Sequence, residues 1–270
     1  MPSKPELHFA EWLARRTQIT SHKGGWRIGD AVYNQGLSLL DDVVGSWSWV
    51  ELLLFNLTGR RPAPALLKWV EWSFICVSWP DARIWCNQVA ALGASSQASG
   101  VASTSAGILA AESKLYGPGV LPSCYTLLSQ LVAQSRSGES IADMVASKQK
   151  LPGFTRPIAL GDERVKAMQA ASLELGFKPG EFERTAIAIS DYISDSTGES
   201  LNFGGYIVAF LADQGFSCRE ITELYTYSIA VGALTCYTDV RNDIPGGFLP
   251  LRCEDIRYEG PADRELPKSQ

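Results

Sequence analysis

One short stretch of this 270-residue chain carries more information than any other. Residues Leu151 to Arg164 are Leu-Pro-Gly-Phe-Thr-Arg-Pro-Ile-Ala-Leu-Gly-Asp-Glu-Arg. The Pro-Gly pair predicts a turn. Helical spacing of apolar residues over Glu163–Leu175 predicts that the loop leads into a helix.

Two arginines of this stretch, Arg156 and Arg164, are candidates for a binding pair. Guanidinium groups bind carboxylates and phosphates through two parallel hydrogen bonds, so two of them suit a polycarboxylate or a phosphorylated thioester carrier. Alternatively, Arg156 is a solvated loop residue and Arg164 pairs locally with Asp162 or Glu163. The sequence leaves both interpretations open.

Several other segments accompany this loop in the order found in one protein family. They are Arg16-Thr17, Gly25–Ile28, Ser46–Pro62, Ala102–Gly117, Leu201–Gly205 and Tyr258–Pro267. Together with the loop, they resemble the citrate synthase superfamily, and most of all its short, single-chain citryl-CoA lyase-like members.

The resemblance implies an all-α, citrate-synthase-like fold with large and small helical domains and a short β element near the N-terminus. It divides the chain into a first part of the large domain (1–150), a small domain that closes over a cleft (151–240) and a C-terminal return to the large domain (241–270). A charge-poor stretch rich in Ala, Ser and Gly, residues 84–115, would pack closely and form the interface of a homodimer.

The resemblance also places the candidate site. Family members have a loop histidine where this chain has Arg156, and Arg164 fits the arginine that follows. A second family histidine corresponds to Tyr116, and the aspartate base corresponds to Gly204, which has no side chain. Tyr116 and Arg156 are thus the candidate catalytic residues, and Arg164, Asn202 and Gly204 the candidate substrate-binding residues.

Each of these positions has a simpler interpretation. Tyr116 either donates a hydrogen bond to a carbonyl or fills the space that a histidine would occupy. Asn202 either contacts substrate or caps the helix that begins at Phe203. Gly153 and Phe154 resemble the family loop whose main chain contacts the adenine of coenzyme A, but they also suit an ordinary turn.

Without the base and the two histidines, ordinary citrate synthesis or citryl-CoA cleavage is not expected. We expect a diverged enzyme that acts on an acyl thioester or a citrate-like polycarboxylate by a lyase, dehydration or cyclisation step. The alternative is a catalytically inactive homologue that binds a metabolite or a sister synthase and regulates it. No tightly bound cofactor is expected, and coenzyme A would enter only as part of a substrate.

The charge and the cysteine and histidine content of the chain argue against several classes of ligand and site. A net charge of −5 offers no basic field for nucleic acid or an anionic membrane. Six scattered cysteines lack the spacing of zinc ligands and predict reduced, mostly buried thiols in a cytoplasmic protein, so no metal site is expected. The two histidines, His8 and His22, both lie before the first long helical segment, so no histidine-based triad is expected.

Overall fold

Helices make up nearly all of the regular structure. The computed structural model describes residues 9–16, 20–156, 160–247, 253–255 and 257–264. The α-helices of these residues are α1 Phe9–Arg15, α2 Trp49–Thr58, α3 Pro64–Val77, α4 Trp85–Ser95, α5 Gly100–Ala111, α6 Leu121–Arg136, α7 Ile141–Ala146, α8 Glu163–Glu174, α9 Glu181–Thr197, α10 Phe203–Asp213, α11 Cys218–Tyr225 and α12 Ala230–Val240. The predicted all-α class is confirmed.

The predicted β element near the N-terminus is a small antiparallel sheet. Strand β1 (Gly24–Arg27) pairs with β2 (Ala31–Asn34), which pairs in turn with β3 (Leu37–Ser38). Gly29 lies between β1 and β2 with φ +75°, a conformation that glycine adopts at no steric cost. A single π-helical turn, Leu39–Val43, follows, although Leu39, Leu40, Val43 and Val44 repeat at the spacing of a regular helix.

Helix α10 lies at the centre of the main core. Every residue from Gly205 to Leu211 is buried, as expected for a helix that is apolar on all sides. Trp69 of α3 stacks on Phe210 with ring centroids 3.7 Å apart. Helices α6, α8 and α9 contact α10 from other directions, so the N-terminus of α10 is held firmly in place.

Helices α4, α5 and α12 form a second group in which backbones approach closely. An added Cβ at Gly107 of α5 would lie 2.8 Å from the Cys86 carbonyl oxygen of α4, and one at Gly93 would overlap Ser103. The predicted close packing of the Ala/Ser/Gly stretch is therefore confirmed. It is a pair of helices, 85–95 and 100–111.

The spacing of apolar residues over 218–240 suits one continuous helix, but the structure has two. The helix breaks at residues 226–229, where the Ser228 hydroxyl donates to the Tyr225 carbonyl and Ser78 donates to the Ser228 carbonyl. These bonds satisfy carbonyls that a continuous helix would have bonded. The break separates α11, which contacts α6 and α2, from α12, which contacts α4 and α5.

The division into domains 1–150, 151–240 and 241–270 stays a prediction. The buried core joins residues from both of the first two segments, among them Trp69 and Phe210. No helix in the described ranges is both long and apolar enough to cross a membrane.

Candidate functional site

A cavity of about 950 Å³ opens between the N-terminus of α10, the loop 151–156 and the turn 114–120. All seven candidate residues predicted from the sequence line it. They are Tyr116, Gly153, Phe154, Arg156, Arg164, Asn202 and Gly204. Its size is that of a site for a metabolite or part of a cofactor-sized substrate.

The loop is anchored to the core through two neighbouring residues. Gly153 has φ +96°, and a side chain there would lie 2.6 Å from the Cys124 sulfur. Phe154 is fully buried, and its amide donates to the Leu151 carbonyl at 3.0 Å. The position of Gly153 therefore requires glycine, whereas the proposed contact of these two residues with coenzyme A stays a prediction.

Asn202 joins the loop to α10. Its side-chain oxygen accepts from the Gly205 amide at 2.9 Å, which caps the helix, and its Nδ2 donates to the Thr155 carbonyl at 2.6 Å. Its own amide donates to the Gly153 carbonyl at 2.8 Å. The capping interpretation is confirmed, and with both polar atoms engaged the substrate-binding role of Asn202 stays a prediction.

Asp162 is the most enclosed charged residue of the cavity wall, with a side chain that is 0% exposed. Arg164 donates to both of its carboxylate oxygens, from Nε at 2.8 Å and from Nη2 at 2.7 Å. The Phe203 amide, at the start of α10, donates to it at 2.9 Å. The carboxylate thus ties the loop, α8 and α10 together.

Burial opposes the ionisation of Asp162, but the hydrogen bonds and charge of Arg164 outweigh it, helped by the Phe203 amide and the charge of Arg156. The pKa of the Asp162 carboxyl is therefore held below its ordinary value. A carboxylate stabilised in this way is a weak base. Asp162 does not replace the base that Gly204 lacks.

Arg156 is paired with Glu163. Its Nη1 donates to Oε2 at 2.6 Å and its Nη2 to Oε1 at 3.3 Å, while the nearest Asp162 oxygen is 3.9 Å from Nη1. The expectation that Arg156 is a solvated loop residue is wrong, because its side chain is only 12% exposed. The local pairing considered for Arg164 is confirmed, with Asp162 as its partner.

Gly204 and Tyr116 face the cavity from two sides. A Cβ at Gly204 would lie 3.6 Å from Leu121 and 3.3 Å from the Asn202 side-chain oxygen, so even a small side chain there would require Asn202 to shift slightly. The Tyr116 ring lies 5.4 Å from that of Trp85 and is 40% exposed. Tyr116 therefore forms part of the wall without closing the cavity.

The sequence interpretation missed three lysines, Lys114, Lys148 and Lys150, which also line the cavity. Two of them stand just before Leu151 in the sequence, so their closeness to the loop was a usable signal. Ammonium groups at this rim provide positive charge for an anionic ligand.

The sequence also predicted reduced, mostly buried thiols. Five cysteines are free, and Cys124, which lines the cavity, is buried so completely that the pKa of its thiol rises to about 12. It is not a nucleophile at neutral pH. His22 is exposed, and His8 and Thr17 lie outside the described residues, as do Pro157–Ala159 and the end of the Tyr258–Pro267 segment.

Comparison with solved structures settles the architecture. Citryl-CoA lyase from Hydrogenobacter thermophilus aligns with a TM-score of 0.75 at 24% identity, over 92% of this chain and 97% of that chain. A mutant ATP citrate lyase from Methanosaeta concilii, in complex with (3S)-citryl-CoA, gives 0.75 at 15% identity, over 97% of this chain and 47% of that chain. Citrate synthase from Thermotoga maritima gives 0.65 at 20% identity, over 80% and 59%.

The chain has a citrate-synthase-like fold. No protein-family model matches it, and neither does any curated protein. The predicted resemblance is thus confirmed as one of fold, and it extends over nearly the whole length of the lyase chain. Within this citrate-synthase-like fold, the cavity is lined by Tyr116, Arg156 and Gly204, and no histidine of the described part of the chain lines it.

Proposed function

We propose that the chain is a diverged enzyme that binds an acyl thioester of the coenzyme A class in this cavity and acts on its acyl group. One observation carries the proposal: the cavity is open and is lined by Tyr116 and Arg156 together. If these two side chains had filled the cleft, a purely regulatory homologue would be favoured instead. Solved relatives in fold include complexes with citrate, coenzyme A and citryl-CoA, which supports this ligand class.

The proposed roles follow from position and chemistry. The Tyr116 hydroxyl donates a hydrogen bond to the thioester carbonyl, and the Arg156 guanidinium binds an anionic group beside it. The three lysines hold the phosphates of the carrier. Asn202 and Arg164 shape the cavity wall through the bonds already described, and main-chain atoms of Gly153 and Phe154 contact the carrier.

The reaction is not ordinary citrate synthesis, because Gly204 provides no base. With acetyl-CoA and oxaloacetate, or with citryl-CoA, we expect no turnover at the roughly 1–10³ per second typical of enzymes. Spectrophotometric assays at micromolar protein test this, by thiol release for acetyl-CoA plus oxaloacetate and by oxaloacetate formation for citryl-CoA. Ordinary turnover would overturn the proposal that the activity has diverged.

The proposal itself is tested with a panel of acyl-CoA thioesters of increasing acyl size, each with and without a carboxylate acceptor, followed by mass spectrometry. At least one thioester should be consumed, and Tyr116→Phe should slow that reaction by roughly 10²–10³-fold if the hydroxyl stabilises developing charge. Binding of coenzyme A without consumption of any thioester would favour the inactive homologue. Failure to bind coenzyme A at all would contradict the proposed enzyme.

A homodimer is proposed from the surface of α4, α5 and α12. Val101 and Leu109 on α5 are 79% and 75% exposed, and Leu92, Val231 and Leu234 extend the apolar surface. A monomer would leave these residues in water. Light scattering at micromolar concentration should give twice the chain mass, and a monomer would contradict the homodimer.

The free thiols support the proposed cytoplasmic location.

A further inference from the structure

The two arginines of the cavity differ in how firmly their carboxylate partners are held. Asp162 has no exposed side-chain surface, and it receives the Phe203 amide in addition to Arg164. Moving it away from Arg164 would leave a buried charge unpaired, which is strongly unfavourable. Arg164 is therefore occupied by Asp162 whether or not a ligand is present.

Arg156 is held by a partner that can leave. The Glu163 side chain is 72% exposed, so water can solvate its carboxylate as soon as it turns outward. Ion pairs with an exposed partner contribute little to stability. Arg156 itself is nearly buried and lines the cavity, so it stays in place when Glu163 leaves.

The charges of this cluster balance in the free protein, because Asp162 and Glu163 neutralise Arg156 and Arg164. One incoming carboxylate can exchange with Glu163 without changing the balance. A second or third carboxylate would lie near Asp162 with no free arginine, and like charges at that distance repel. The remaining wall includes Trp85, Ile193 and Ile207, which offer apolar contact, and the three lysines, which the proposed function assigns to the phosphates of the carrier.

We propose that Glu163 is a displaceable internal competitor for Arg156, and that the carboxylate substrate of this cavity carries one carboxylate on an apolar body. This inference rests on the proposed function and specifies its substrate class. The phosphates of a thioester carrier are held separately, at the lysines. A citrate-like tricarboxylate, which the sequence also allowed, does not suit the cluster.

The test is a calorimetric titration with 3-phenylpropionate and with citrate as probes. Glu163→Gln should bind 3-phenylpropionate about two- to fivefold more tightly than the unmodified chain, the range expected for loss of an exposed ion pair. Adding Arg156→Ala to that variant should remove the gain. Citrate should bind more weakly than 3-phenylpropionate in every protein that retains Arg156.

Glu181→Gln is a matched control. Glu181 also pairs with an arginine through two hydrogen bonds, at 2.7 and 2.5 Å from Arg136, but neither residue lines the cavity. The Glu181→Gln variant should bind both probes with the affinity of the unmodified chain. Equal gains in the Glu163 and Glu181 variants would overturn the inference, because they would reflect net charge alone.

Coenzyme A titrated into the same proteins separates this inference from the proposed function. If coenzyme A binds but Glu163→Gln leaves 3-phenylpropionate affinity unchanged or undetectable, the inference is wrong and the proposed function stands. If coenzyme A fails to bind while 3-phenylpropionate responds to Glu163 as expected, the inference stands and the thioester proposal is wrong.

Discussion

Two buried carboxylates contact α10, and their surroundings are opposite. Asp162, at the cleft end, receives Arg164 and the Phe203 amide, and the pKa of its carboxyl lies below the ordinary value. Glu183, in the core, accepts a hydrogen bond from the Tyr206 hydroxyl at 3.2 Å, and burial, together with the nearby charge of Asp213, raises the pKa of its carboxyl. The charge of Asp162, at the cleft, is thus neutralised by arginines, whereas Glu183, in the core, accepts its side-chain hydrogen bond from a neutral hydroxyl.

This difference has a functional meaning. A carboxylate that stays ionised orders its arginine, and Asp162 does so beside the cavity wall. Glu183 belongs to a chain of hydrogen bonds that includes Tyr206, Ser172 and Trp69, which joins helices without a permanent charge pair. The effects of substitutions at Asp162 and at Glu183 on the free energy of unfolding should therefore differ in size, sign and pH dependence.

The largest effect is expected for Arg164→Ala. It leaves Asp162 buried beside Arg156 alone, and breaking such a pair costs about 3–5 kcal/mol of unfolding free energy. Urea unfolding at pH 7 measures it. The control is Arg136→Ala, which removes the exposed partner of Glu181 and should have little effect. If both variants lost equal stability, the pair at the cleft would be no more important than a surface one.

A smaller loss, about 1.5–3 kcal/mol, is expected for Asp162→Asn at pH 7, since charged hydrogen bonds are replaced by neutral ones. Because the folded pKa of Asp162 is lowered, its contribution is complete above the ordinary value of 3.8 and is lost as the pH falls through the folded pKa. The stability difference between the two proteins should therefore shrink below about pH 4. A constant difference from pH 7 to pH 3 would contradict this account.

The smallest effect has the opposite sign. Glu183 has a raised folded pKa, so the stability of the unmodified chain should fall as the pH rises from the ordinary value of 4.5 toward that folded pKa. Glu183→Gln removes the buried charge and keeps an acceptor for Tyr206. It should be more stable at pH 8 by about 1 kcal/mol, the size of a typical substitution, and the gain should vanish below pH 4. A loss of stability at pH 8 would show that the carboxylate is needed in its charged form.

The sequence predicted those parts of the fold that depend on local pattern. The apolar run of α10, the small residues of α4 and α5 and the turn-rich start with its strands all leave a local signature. The break at residues 226–229 was not predictable, because it depends on a hydrogen bond from Ser78, which is far away in sequence.

The site was predicted as a set of positions more successfully than as a set of interactions. The resemblance to family motifs predicted seven site residues, and all seven line one cavity. The motifs were informative because they mark the segments that lie together in this fold. It could not decide that Glu163 pairs with Arg156, because the choice between two adjacent acidic residues depends on how the loop is placed against α10. The cavity lysines have no motif and were missed.

The contact between Gly153 and Gly205 has a mechanical consequence. A Cβ on Gly205 would overlap the Gly153 carbonyl oxygen, so the two backbones touch without side chains between them. Two hydrogen bonds from Asn202, the N-cap of α10, to the Gly153 and Thr155 carbonyls reinforce the joint. We therefore expect the loop and the N-terminus of α10 to move together. We expect any opening of the cleft at its other wall, around Lys114 and Tyr116, and relaxation measurements should find the slow motion there.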